Sequence, residues 1–167
     1  HSDHRRQRQM CIRDRTWTPQ NYDKKFIGPI TLRTALQRSR NVVSVYLLNL
    51  MGPKAAINNA RRLGITTDIP NNLSIALGTA TVHPMELVHA YGTFANSGWQ
   101  AKQVIVKEIK DRNDNSVFKA KFSQKKLISD ELSFLIANMM KGVVQRGTAR
   151  IVKRIGKPIA GKTGTTN

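Results

Sequence analysis

Ala160-Gly161-Lys162-Thr163-Gly164-Thr165-Thr166-Asn167 is the stretch on which the rest of the chain is read. It sets along one edge a cation, hydroxyls able to hold a carboxylate, and a glycine that lets a substrate backbone come close. Those are the requirements of a covalent acyl-transfer site. Pro158-Ile159-Ala160 leads into it as a short apolar run suited to a buried strand, and the β-branched Thr163, Thr165 and Thr166 favour an extended chain. Three common residues such as Lys-Thr-Gly also meet by chance. On this segment alone, a polar strand end with a solvated lysine is an equal reading.

The composition allows a globular domain, or a piece of a larger one. The 167 residues are 40% hydrophobic and 23% charged, which is enough to bury a core. A net charge of +18 favours anionic partners. The positive residues are scattered along the chain without a basic stripe on any helix, and aromatic residues make up only 6%. A nucleic-acid-binding module would need a clustered basic face with stacking rings, so no nucleic-acid partner is expected. No run of 18 apolar residues is present to span a membrane, and the first residues carry no apolar stretch of the secretory-signal kind. Cys11 is the only cysteine, which excludes an internal disulfide and a multi-cysteine metal site. No cofactor and no metal are expected.

Residues 1–15 differ in character from the rest of the chain. They hold five Arg and two Asp with no usable period, and Met10-Cys11-Ile12-Arg13-Asp14-Arg15 has the look of translated adapter read-through. The segment is placed outside the domain as an artefact, with a solvated basic arm as the alternative. The domain is assigned to residues 16–167.

From Thr16 the text becomes regular. Thr31 is a candidate N-cap for a helix over 31–38 with Leu32, Ala35 and Leu36 on one face. A second, buried helix is predicted through Val42, Val45, Leu48 and Leu50. Pro53 opens a third, which Gly64 stops. Pro84 opens a fourth, with Met85, Val88, Tyr91 and Phe94 spaced for burial and Gly98 at its close. Val104–Lys110 and Ser116–Ala120 flank a polar loop in a hairpin pattern. Ser129 caps the clearest helix, whose Leu132, Leu135, Ile136, Met139, Met140, Val143 and Val144 keep helical spacing to Gly147. That stripe is expected to face the sheet carrying Lys162.

Ser39-Arg40-Asn41 falls between two helices, where side chains can project into a cleft. By itself Ser39 is an N-cap for the helix beginning near Asn41. Paired with Lys162-Thr163-Gly164 it becomes a second element of one site.

The order of these segments resembles the transpeptidase domain of class A penicillin-binding proteins over roughly residues 17–167. The resemblance rests on Pro19-x-Asn21-Tyr22-Asp23, Gly28-Pro29-Ile30-Thr31-Leu32-Arg33-x-Ala35-Leu36 and Ser39-Arg40-Asn41. It continues through Ala76-Leu77-Gly78, Pro84-Met85-Glu86-Leu87, Phe94-Ala95-Asn96, Gly147-Thr148-Ala149 and Ala160 to Thr166. It implies a mixed α/β fold of the penicillin-binding protein and serine β-lactamase type, an antiparallel sheet flanked by helices on both faces and here incomplete at both ends. The implied activity is D,D-transpeptidation through a serine acyl-enzyme on D-Ala-D-Ala stem peptides of peptidoglycan, with β-lactams as covalent inhibitors. The implied partners are stem peptides and glycan strands. The implied location is periplasmic, anchored to the inner membrane by a segment absent here.

Carried over by position, the resemblance makes Ser39 a proton relay, gives Asn41 the substrate amide, and has Lys162 supply positive charge and a hydrogen bond to Ser39. Thr163 and Thr165, beside Gly164, would bind the substrate carboxylate, and the Thr165 N–H would serve an oxyanion hole. No Ser-x-x-Lys precedes Ser39, where the family places its nucleophile, and Ser123-x-x-Lys126 lies downstream in a polar loop. The chain therefore reads as an internal fragment, inactive alone. A D,D-carboxypeptidase, a β-lactamase or a β-lactam sensor of the same fold remain alternatives. A deacylating Glu-x-x-x-Asn loop is not evident.

Overall fold

The fold is given by a computed structural model that describes residues 10–12 and 15–164. Thr31 starts the first helix, α1 (Leu32–Gln37), by accepting the Thr34 N–H on its side-chain oxygen at 3.2 Å. Helices α2 (Asn41–Met51) and α3 (Pro53–Arg62) follow, split at Gly52 with Pro53 in the first helical turn. A 3-10 turn (Leu73–Leu77) packs on α2 and leads to α4 (Pro84–Ala95). Ser129 caps the long α5 (Asp130–Arg146), with Asp130 and Glu131 in its positive first turn. A second 3-10 helix, Arg150–Ile155, packs back on α5.

The strands are short and pair two by two. β1 (Met10–Ile12) pairs antiparallel with β2 (Arg15–Trp17), a hairpin that crosses the boundary drawn at residue 15. β3 (Trp99–Ala101) pairs with β6 (Gln124–Lys126), and β4 (Glu108–Lys110) with β5 (Ser116–Lys119). The expected hairpin is present but shorter, since 104–106 stays outside the ladder and exposed. Gly98 makes the turn into β3. Its φ of +83° is open to glycine, and a Cβ there would collide with the Ile128 carbonyl oxygen.

Burial corrects two of the expected faces. On α4, Met85, Val88 and Tyr91 are exposed, and the buried residues are Glu86, Ala90 and Thr93. Both sets keep helical spacing, so periodicity does not choose between them. The choice falls to what Glu86 can reach. Its carboxylate accepts both the N–H (2.9 Å) and the hydroxyl of Thr66, and the Thr67 hydroxyl (2.6 Å), which locks α4 to the segment after α3. On α5 the stripe is buried only from Met140 onward, through Val143 and Val144, with Ser133 buried farther up and donating to the Phe94 carbonyl at 2.8 Å. Leu132 and Leu135 are half exposed, so truncating Leu135 removes little buried surface.

The third correction concerns the terminal strand expected from Pro158 through the Lys-Thr-Gly stretch. Its described residues, 158–164, form no strand, and no described strand pairs with them in a ladder. Ile159 nevertheless packs where an apolar residue was expected, against the cluster of Val143, Val144 and Ala149 with Leu36 and Val152. Gly161 donates its N–H to the Met140 carbonyl. Helix α5 thus carries the terminal segment directly, with no strand of the described residues between them.

Glu86 gives a pH prediction. The hydroxyls of Thr66 and then Thr67 pull its carboxyl down from the ordinary 4.5 to about 2. A depressed folded pKa means the stabilisation is full above about pH 4.5 and is lost as pH falls toward 2. Melting temperature is therefore expected to drop across that window, and Glu86→Gln to flatten the drop. Identical acid profiles for the two proteins would show that the carboxylate is not the titrating group.

Candidate active site

The last turn of α1 decides where Ser39 points. Arg40 N–H bonds the Ala35 carbonyl (2.9 Å) and Ser39 N–H the Leu36 carbonyl (3.2 Å), a Schellman closure that puts Ser39 at the position glycine usually fills. Its φ is +51°, left-handed for a residue with a Cβ. Ser39 is not the N-cap of α2. That position belongs to Arg40, whose side chain makes no cap bond. Asn21 does the capping from outside, accepting the Val42 N–H on Oδ1 at 3.3 Å while its amide donates to the Lys25 carbonyl.

Arg40 Nη1 reaches both carboxylate oxygens of Asp23, at 2.7 and 2.8 Å, with the guanidinium largely buried. That hydrogen bond, helped by the Lys25 N–H, holds the Asp23 carboxyl below the usual range. Asn41 is tied the same way, its amide donating to the Gln20 carbonyl at 3.1 Å. The loop over 20–25 is thus the brace behind Ser39-Arg40-Asn41. Sequence spacing missed this pairing, although Asn21 and Asp23 stood within a recognised stretch.

Across the cleft, Lys162 Nζ donates to Ser39 Oγ at 2.8 Å, joining residues 123 apart in sequence. The same ammonium reaches the Thr163 carbonyl at 2.9 Å and Thr163 Oγ1 at 3.4 Å. Burial pushes the Lys162 ammonium below its ordinary value. Thr163 Oγ1 lies 2.8 Å from Thr148 Oγ1. Gly164 is exposed, and a Cβ on it would meet nothing within 4 Å, which fits an edge open to a ligand. Thr165, expected to share carboxylate binding and the oxyanion hole, lies outside the described residues.

The structure brings Ser39, Asn41, Lys162, Thr163 and Gly164 onto the two facing elements. Two further residues enter to which no site role was given, Gln37 and Thr148, the latter from the recognised Gly147-Thr148-Ala149 segment. Thr148 N–H donates to the Gln37 carbonyl at 3.1 Å, so the residue after Gly147 touches both sides of the cleft. A surface hollow lined by Gln145, Arg150, Ile151, Lys153 and Arg154 contains none of these groups. The downstream Ser-x-x-Lys spacings do not build a nucleophile. Ser116 and Lys119 lie on β5, where residues three apart point to opposite faces. Lys126 is held by the Ser97 carbonyl and Asp130 and sits over the Trp99 ring. Among the described residues no cluster of His, Cys, Asp and Glu could hold a metal, and no helix is long and apolar enough to cross a membrane.

Comparison with known proteins gives the same outline. The family model described as "Penicillin binding protein transpeptidase domain" matches residues 6–167. Penicillin-binding protein 1A of Rickettsia bellii is 34% identical over 91% of the chain, and that of Neisseria meningitidis 37% over 90%. The chain spans about a fifth of those relatives, 22% and 20% of their lengths. The crystal structure of penicillin-binding protein 1A from Haemophilus influenzae superposes with a TM-score of 0.85 at 24% identity, covering 95% of this chain and 30% of that one. Penicillin-binding protein A of M. tuberculosis, solved as an imipenem acyl-enzyme complex, has a TM-score of 0.71 at 19% identity over 83% of this chain and 37% of that one. The mixed α/β transpeptidase fold expected from the sequence is the fold these structures share with it.

Proposed function

Since the chain belongs to the penicillin-binding protein transpeptidase family, we propose that it forms the Ser-Arg-Asn and Lys-Thr-Gly walls of a D,D-transpeptidase site. The observation that carries this reading is the 2.8 Å bond from Lys162 to Ser39 across 123 positions of sequence. A hydroxyl bonded to an ammonium that burial pushes below its ordinary value has the donor and acceptor that a proton relay needs.

In this reading a serine from a Ser-x-x-Lys element attacks the carbonyl of the penultimate D-alanine of a stem peptide. The lysine of that element takes the serine's proton, Ser39 relays it to the departing amine as the C–N bond breaks, and D-alanine leaves. An amine of a neighbouring strand then takes the acyl group and returns the serine. Lys162 and the Thr163 hydroxyl bind the terminal carboxylate, with Thr165 beside them, and Asn41 holds the substrate amide. No Ser-x-x-Lys precedes Ser39 in these residues, so the nucleophile belongs to a part of the protein outside them. β-Lactams would acylate the same serine. In this reading the site lies on the periplasmic face of the membrane, on an anchored protein, with stem peptides and glycan strands as partners. Residues 16–167 are the domain sequence in this reading, with 1–15 outside it.

The test is chemical. The full-length protein, given a peptide ending in D-Ala-D-Ala and an amine acceptor, should release D-alanine and form the cross-linked product. Release with hydrolysed product alone would make it a carboxypeptidase. No release would remove the reading.

A further inference from the structure

Around the cleft the hydrogen bonds close into a ring. Ser39 Oγ accepts from Lys162, Lys162 donates to Thr163 Oγ1, and Thr163 Oγ1 meets Thr148 Oγ1. Thr148 N–H then returns to the Gln37 carbonyl, two residues before Ser39. Three separate elements, the end of α1, the turn after α5 and the terminal segment, are thereby fixed relative to one another. Thr148 is the member that touches the other two directly.

We propose that Thr148 is a positioning residue that aims the Thr163 hydroxyl at the ligand carboxylate. The inference rests on the transpeptidase reading above. A hydroxyl has one proton and two acceptor lone pairs. The Lys162 ammonium occupies one lone pair of Thr163 Oγ1, since an ammonium only donates. When Thr148 donates to the other, the Thr163 proton has no partner left in the ring and is free to bond a ligand. Donation from Thr148 also polarises that O–H and strengthens its bond to an anion. The Thr148 backbone is anchored on Gln37, so its hydroxyl is held at a fixed distance from Thr163. Without the Thr148 hydroxyl, Thr163 has a vacant lone pair and its rotor loses its constraint.

The experiment uses the full-length protein and compares acylation rates for benzylpenicillin and its uncharged methyl ester. A structural defect lowers both rates alike. Loss of carboxylate aiming lowers only the first. Thr148→Val keeps shape without the hydroxyl and should cut the ratio of acid to ester rates by about tenfold, while Thr148→Ser, which restores the hydroxyl, should keep the wild-type ratio. An unchanged ratio in Thr148→Val overturns the inference. So does an equal loss in the Ser variant, which would assign the effect to the methyl group. If Thr148→Val does not fold, the ratio in Thr148→Ala decides by the same criterion. Wild-type protein that takes up neither compound would instead remove the transpeptidase reading beneath the inference.

Discussion

Changing Lys162 to Ala in the full-length protein is expected to slow acylation by a fluorescent penicillin by roughly 10²–10³-fold. The ammonium does three things at once in the structure. It holds Ser39 Oγ at 2.8 Å, reaches both oxygens of Thr163, and in the proposed reading carries the positive charge that meets the ligand carboxylate. Alanine removes all three and leaves the Ser39 hydroxyl free to rotate. The backbone from 158 to 162 is carried by Ile159 and by the Gly161 bond to Met140, so the substitution need not unfold it. Stopped labelling at successive times gives the rate, and thermal melting of the variant separates chemistry from folding. A variant that labels at the wild-type rate would take Lys162 out of the mechanism. The 167-residue chain alone is expected to take up no label. Label mapping to Ser39 in that chain would make Ser39 the nucleophile and overturn its role as relay.

The second large effect is expected from Gly147→Ala. A Cβ at Gly147 would collide with the Gln37 carbonyl oxygen and lie within 2.9 Å of Val143 backbone atoms. These are main-chain groups, which cannot swing aside as a side-chain end can. The same Gln37 carbonyl accepts the Thr148 N–H, so relief of the clash breaks the ring that holds Ser39. Overpacking of this kind costs about 1–3 kcal/mol, and the lost hydrogen bond about 1 kcal/mol more. Urea unfolding should show that loss together with slowed penicillin acylation. Gly92→Ala is the internal contrast. Gly92 lies inside α4, a Cβ there meets nothing within 4 Å, and alanine should stabilise the helix by about 0.5–1 kcal/mol without touching acylation. Equal unfolding curves for Gly147→Ala and wild type would show that the close approach at Gln37 is relieved at no cost.

The meeting of the two site segments was legible from their order. Neither Ser39-Arg40-Asn41 nor Lys162-Thr163-Gly164 stands out singly, but together in the family order they predict the contact that Lys162 makes with Ser39. The braces behind them were not legible. Asp23 on Arg40, Asn21 on the Val42 N–H and Thr148 on Thr163 pair common polar groups over 15 to 21 positions. Nothing in spacing marks one such pair among many.

Sequence by itself determined four of the helix starts. Thr31, Pro53, Pro84 and Ser129 act through bonds and backbone limits within a turn of where they stand. Only the tertiary structure decided which helix face is inside. On α4 two sets of residues share the helical period, and Glu86 with its two threonine hydroxyls settled the choice against Met85 and Val88. The terminal strand expected from Pro158 through the Lys-Thr-Gly stretch fails over its described residues, 158–164, for the same reason. An extended, β-branched sequence proposes a strand, but a strand exists only where a neighbour offers its N–H and C=O groups, and none of the described residues does so. Capping is local and can be read from a few letters. Burial and strand pairing are properties of the partner, which a linear sequence does not name.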